Sequence, residues 1–205
     1  MSTAVVVTSE TAPAPRRVTV VQSDIVSSTH LLELAGAGYP RLLVRHRALI
    51  AAAVARRGGT FLAYAGDGTL AVFDHADQAL RASVEAQQAL AAERWPDGLA
   101  LRVRMGVHEG EVYEVGGEPV GLVINQGARI MAAAQAGQIM VSPEAAGAAE
   151  VAEVAGRPAA DLPGAPRFVD AGWHELRDHP GPVRLRQVVA DGVLVVPPTL
   201  VAAPA

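Results

Sequence analysis

The chain contains no cysteine, which excludes disulfide bonds and thiolate metal sites. Aromatic residues make up only 4% of its 205 residues, while half of the residues are hydrophobic and many of these are alanine. That balance suits helices packed closely on a sheet. Basic residues are in slight deficit. The formal net charge is −4 and the pI about 5.8, so there is no positive field for long nucleic acid. A triphosphate needs only a metal ion and a few local cations, and it remains open as a ligand. No run approaches the ~20 apolar residues that span a bilayer, and the stretch from Val193 to Val201 is broken by Pro197 and Pro198. Residues 1–15 lack the charged start and apolar core of a secretion signal, so the cytoplasm is the expected location. No Gly-x-Gly-x-x-Gly or Walker sequence opens a helix, which argues against those nucleotide folds.

Residues 1–15 are rich in Ala, Thr and Pro and read as a flexible lead, and 190–205 as a Pro/Ala-rich tail. One domain, 16–189, fills the space between them. Valine-rich alternation from Arg17 to Asp24 predicts a buried strand. Ser27, Ser28 and Thr29 then offer helix-capping hydroxyls. A second helix is expected over 40–57, stopped by Gly58-Gly59. Strands over 61–65 and 70–73 flank Gly66-Asp67-Gly68, a hairpin signal of the type I′ kind. A long helix follows over 76–93 and a strand over 99–107. Then come a helix over 122–136 and a short strand over 138–142. A Pro/Gly-rich loop spans 156–166, before closing strands over 168–176 and 183–189. Strands alternating with helices, a hairpin among them, imply an α+β fold of the ferredoxin-like kind, with a mixed, mostly antiparallel sheet covered by helices.

Three constellations carry chemistry, and each also has an ordinary structural reading. Asp24 ends a strand and runs into the hydroxyl-rich start of a helix, where unpaired amides suit phosphate and a carboxylate suits its counter-cation. Asp24 alone more often serves as a helix cap. Asp67 sits in a favoured turn, yet a hairpin beside the first strand places it near Asp24, as two-metal phosphoryl chemistry requires. Asn125 and Arg129, four apart, share one helical face. An amide and a guanidinium there suit a ribose and a transferring phosphate, or simply a solvated surface. The six histidines show no close metal-ligand spacing, and His108 reads as a satisfied structural residue.

Taken together, the order and spacing of these signals over roughly 16–189 resemble the class III adenylate/guanylate cyclase catalytic domain. The resemblance rests on Asp24 to Thr29, the Gly66-Asp67-Gly68 hairpin, Arg102-Val-Arg-Met-Gly-Val-His108, Asn125 with Arg129, and Gly172-Trp-His-Glu-Leu-Arg-Asp178. It implies a class III nucleotidyl cyclase with two divalent ions, Mg or Mn, held by Asp24, Asp67 and the backbone of Ile25. Val26, Ser28 and Thr29 would surround the phosphates, and Arg177 would stand where a late cationic phosphate ligand is usually lysine. Asn125 would orient the ribose and Arg129 would stabilise the α-phosphate in the transition state. The family builds its site between subunits, which implies a homodimer with two equivalent sites acting on a nucleoside triphosphate.

The pattern departs from the family at the base. Purine-reading members carry lysine four residues before the hairpin aspartate and aspartate seven before the asparagine; here these positions are Ala63 and Glu118. Alanine has no donor for a purine edge. The change is similar to that in pyrimidine (uridylate and cytidylate) cyclases of bacterial antiphage defence, and it leans the expected substrate to UTP or CTP. An ATP-using adenylate cyclase and a degenerate, nucleotide-binding regulatory domain are the alternatives. Palm-type diguanylate cyclases rank lower, because Ala65-Gly66-Asp67-Gly68-Thr69 is not their acidic turn signature.

Overall fold

The computed structural model describes residues 14–63, 66–154 and 167–198. In chain order these form β1 Arg16–Ile25, α1 Ser28–Ala35, α2 Tyr39–Arg56, β2 Thr60–Ala63, β3 Thr69–Phe73, α3 Ala76–Ala92, β4 Val103–Val115, β5 Glu118–Val120, α4 Leu122–Ala133, β6 Ile139–Val141, α5 Pro143–Val154, β7 Arg167–His174 and β8 Val183–Val189. The sheet runs β2-β3-β1-β4-β6-β8-β7, with β5 paired to β4. Among the described residues only the β4–β6 neighbours are parallel. This is the mixed, mostly antiparallel α+β arrangement that the pattern predicts. Among the described residues no helix is long and apolar enough to cross a membrane.

Alternation along β1 feeds both faces of the sheet. Val21 and Ile25 join the core beneath α2, α3 and α5, whereas Val18 and Val20 pack with Leu70, Val72 and Val123 on the α4 side. On α2, Leu42, His46, Ile50, Ala53 and Val54 recur at helical spacing and are the buried residues. Alanines at 76, 79, 82 and 86 let α3 lie close against its neighbours. On the other face α4 approaches the sheet through glycine. A Cβ at Gly106 would stand 2.3 Å from the Met131 nitrogen, and one at Gly127 would stand 2.9 Å from Val20 Cγ2.

Four local expectations are corrected. Ser27 adopts φ 58 and makes no side-chain cap, so the hydroxyl run does not cap α1 as expected. Ala63 pairs with Thr69, making the first hairpin connection five residues long. Asp67 is not among the positive-φ residues, which excludes the type I′ turn. That geometry appears instead at Gly116-Gly117 (φ 61 and 83), where Val115 pairs with Glu118 and the unexpected β5 begins. The fourth concerns α5, which was not foreseen; Ser142 Oγ accepts from the Ala145 amide at 3.2 Å and starts it. The loop expected over 156–166 and residues 1–13 lie outside the described residues. In the tail, residues 190–198 are laid against the domain. Leu194 donates to the Gly137 carbonyl, and the Val196 backbone pairs with the Gln187 side chain.

Candidate active site

Asp24 ends β1, and β3 lies beside it with Ser23 paired to Thr69. The turn that precedes β3 therefore carries Asp67 to the same end of the sheet. The two carboxylates sit close enough that each charge bears on the other. Burial raises the Asp24 pKa, Arg104 opposes that rise, and Asp67 raises it further. Asp67 Oδ2 is buried without a hydrogen-bond partner. Two adjacent carboxylates, one oxygen of which is orphaned, fit a shared divalent cation, because a cation relieves both the repulsion and the missing partner. Among the described residues no third acidic or histidine side chain joins them.

Around this pair, Ile25 is buried and continues the ladder opposite Val103. The Val26 amide donates to the Arg102 carbonyl at 3.0 Å, so that amide is not free for phosphate. Ser28 is half-buried and Thr29 exposed in the first turn of α1, where helical amides lack internal partners. The start of α2 closes the other side. Tyr39 feels both carboxylates, and Arg47 bonds the Gly66 carbonyl.

A second cluster gathers on α4 and on the segment after β7. Asn125, Arg129 and Ala132 of α4 line an open cavity of about 680 Å³ with Glu175 and Arg177. Asp178, held at φ 53, approaches Arg129 Nη2 at 3.4 Å and Arg177 Nε at 3.5 Å through the same oxygen. The chain has no lysine, so every fixed side-chain cation here is a guanidinium. The outward face of α4 is set by two inward contacts. Gln22 Nε2 donates to the Ile124 carbonyl at 2.7 Å, and His108 Nε2 lies 2.9 Å from Gln126 Oε1. His108 is thus bonded on one nitrogen, while its Nδ1 has no hydrogen bond and stands 3.7 Å from Glu144. Among the described residues no hydrogen bond or ion pair joins Asp24 or Asp67 to Asn125, Arg129 or Arg177.

Ala63 closes β2, and Glu118 opens β5, exposed on its hairpin. Their neighbours meet: Leu62 on one side and Gly117 and Pro119 on the other line a cleft of about 200 Å³. Two residues escaped the sequence reading. Arg104 stands opposite Asp24 and binds its carboxylate at 2.8 Å; strand register, invisible in the sequence, makes that pair. His46 is wholly buried beside the acidic turn, and its place in the Leu42–His46–Ile50 stripe was the available signal.

No family model matches the chain. An uncharacterised protein of Mycobacterium tuberculosis is 30% identical over 178 residues, covering 86% of this chain and 57% of its own length. A Rhizobium meliloti protein provisionally named adenylate cyclase 3 is 29% identical over 173 residues, 83% of this chain and 28% of that protein. The chain therefore spans little more than half the length of the first of these relatives and less of the second. Among solved structures, an adenylate/guanylate cyclase/hydrolase from Silicibacter pomeroyi is 28% identical with a TM-score of 0.67, covering 87% of this chain and 99% of that one. The fold is that of class III adenylate/guanylate cyclase domains.

Proposed function

We propose that the chain is a metal-dependent nucleotidyl cyclase that closes a nucleoside triphosphate to its 3′,5′-cyclic monophosphate. What supports this reading is a cyclase fold that carries an acidic pair at Asp24/Asp67 and a cavity lined by Asn125, Arg129 and Arg177. The halves complete each other in a twofold dimer, each site drawing carboxylates from one protomer and α4 from its partner. Exposed Tyr113, Val115, Val120 and Leu122 form an apolar edge leading to Asn125, which suits such an interface.

In the reaction the ribose 3′-oxygen attacks the α-phosphorus, the bond to the bridging oxygen breaks, pyrophosphate departs, and the hydroxyl proton passes to solvent. Asp24, Asp67 and the Ile25 carbonyl would hold divalent ions, which would supply activation of the hydroxyl and neutralisation of the triphosphate. Asn125 fixes the ribose, Arg129 stabilises charge on the transferring phosphorus, and Arg177 with the first turn of α1 holds outer phosphate oxygens.

Ala63 supports a pyrimidine base, UTP or CTP, and with it a place in antiphage signalling of the kind the resemblance suggests. Glu118, an exposed acceptor beside the same cleft, favours an amino-bearing base and keeps ATP as a second reading. The test is incubation of the purified chain with each of four triphosphates and Mn²⁺ or Mg²⁺, with product identification. A cyclic nucleotide and pyrophosphate are expected. A folded dimer that binds a triphosphate without turning it over would instead mark a regulatory, nucleotide-binding domain.

A further inference from the structure

His46 occupies the middle of α2 with none of its surface exposed, and neither ring nitrogen has a hydrogen-bond partner. Burial lowers its pKa to about 4, against the opposing pull of the Asp67 charge. The ring is therefore neutral at ordinary pH and carries one N–H donor and one acceptor. A phenylalanine or leucine would fill the same space without the cost of dry polar atoms. That cost points to a task.

The complement lies nearby. Asp67 Oδ2 is itself buried and unpartnered, and the Asp67 charge lies close enough to pull the His46 pKa upward. Arg47, the next residue of α2, bonds the Gly66 carbonyl and so ties this turn of helix to the residue before Asp67. A donor without an acceptor and an acceptor without a donor thus sit on two elements already fastened together.

We propose that His46 is a positioning residue for Asp67: its imidazole N–H donates through one buried water to Oδ2, and turns the other carboxylate oxygen toward the cation site beside Asp24. The proposal rests on the two-carboxylate metal reading above. A buried neutral imidazole suits this work, because it orients a carboxylate without adding a positive charge that would compete with the cation. Donors behind ligating carboxylates commonly set metal affinity by about 10–100-fold.

The test compares wild type, His46→Phe and His46→Gln by Mn²⁺ binding, followed by electron paramagnetic resonance without nucleotide, and by thermal melting. His46→Phe should weaken Mn²⁺ binding by about tenfold or more while melting at or above the wild-type temperature. His46→Gln, which keeps a donor, should bind closer to wild type. In an Asp67→Ala background, His46→Phe should cause no further loss. Saturating Mn²⁺ should restore kcat in His46→Phe, separating positioning from chemistry. If the phenylalanine variant does not fold, His46→Leu carries the same comparison. A folded apolar variant with wild-type Mn²⁺ affinity overturns the His46 assignment alone. A wild-type chain that binds no Mn²⁺ overturns the two-carboxylate site and this inference with it.

Discussion

Asp24 and Arg104 face each other across the β1–β4 ladder, with Nη2 of the guanidinium 2.8 Å and Nε 3.3 Å from the same carboxylate oxygen. The third nitrogen, Nη1, reaches the Ala132 carbonyl near the end of α4 at 3.3 Å. One planar cation therefore balances the acidic pair and anchors the helix that carries Asn125 and Arg129. Lysine can supply the charge but not the fork. Arg104→Lys and Arg104→Ala should both lower kcat/KM, the alanine variant by about tenfold or more, or about 1.4 kcal/mol. Steady-state kinetics across Mn²⁺ concentrations measure it, and wild-type kinetics in Arg104→Ala would remove this residue from the site.

The acidic pair separates stability from activity. The folded-state pKa of Asp24 is raised, chiefly by burial. Its contribution to stability is therefore fully present below the ordinary carboxylate value, and it is lost as pH rises through the raised folded value. Asp24→Asn removes the charge yet keeps an acceptor for Arg104. It should melt at or above wild type near pH 7, with the difference shrinking as pH falls toward 4. Turnover should nearly vanish, in Asp24→Asn and in Asp67→Ala alike. Melting curves across pH together with product assays decide it; wild-type turnover in either variant sinks the metal reading.

The parts of the fold that were legible in the sequence are those with local periodicity. The α2 stripe and the β1 alternation lie within a residue or two of expectation, because burial on one face writes itself into spacing. The α5 sequence is nearly all Ala, Val and Glu with Gly147 inside, and its weak amphipathicity hides it. The β4 strand starts at Val103, four residues later than expected, after a short 3₁₀ turn at Pro96–Gly98. At the site, the acids, the asparagine and the arginines stood out by motif. Arg104 and His46 did not, since one is defined by cross-strand register and the other is a buried polar residue flanked in sequence by the arginines Arg45 and Arg47.

Close packing of α4 gives a prediction independent of the chemistry. A methyl at Gly106 would meet backbone, the Met131 nitrogen at 2.3 Å and the Gly127 carbonyl at 2.8 Å. A methyl at Gly127 would meet the Val20 side chain at 2.9 Å. Backbone yields less readily than a side chain. Gly106→Ala should therefore cost about 2 kcal/mol or more and Gly127→Ala nearer 1 kcal/mol in denaturant unfolding. The reverse order would mean that α4 is not seated as described.

Mixed dimers test the shared site. Asp67→Ala and Arg129→Ala should each be nearly inactive as homodimers. After subunit exchange, a mixed dimer gathers both lesions in one site and leaves the other intact. Random pairing makes half the dimers mixed, so activity should return to about a quarter of wild type, given twofold symmetry. Confirmed exchange without recovery would place each site within one protomer.

Base choice turns on what replaces the missing donor. Ala63 stands at the end of β2, where no side-chain hydrogen bond to a purine edge is possible, and losing such a directional contact costs a large selectivity factor. Leu62, Gly117 and Pro119 border a cleft of about 200 Å³ whose walls also carry Arg16, Thr60 and Glu114, and its small volume suits a single-ring base. Glu118 pulls the other way in one respect: as an acceptor it favours the amino group of cytosine or adenine over the uracil carbonyl. UTP and CTP should therefore outcompete the purines when all four triphosphates are supplied at equal concentration, and Glu118→Gln should lower CTP use relative to UTP. Restoring the donor with Ala63→Lys should raise purine use relative to pyrimidine use. The measurement is the product ratio under competition, which reports kcat/KM directly. A tenfold or greater preference for ATP, about 1.4 kcal/mol, would overturn the pyrimidine assignment and leave Glu118 as the residue that reads adenine.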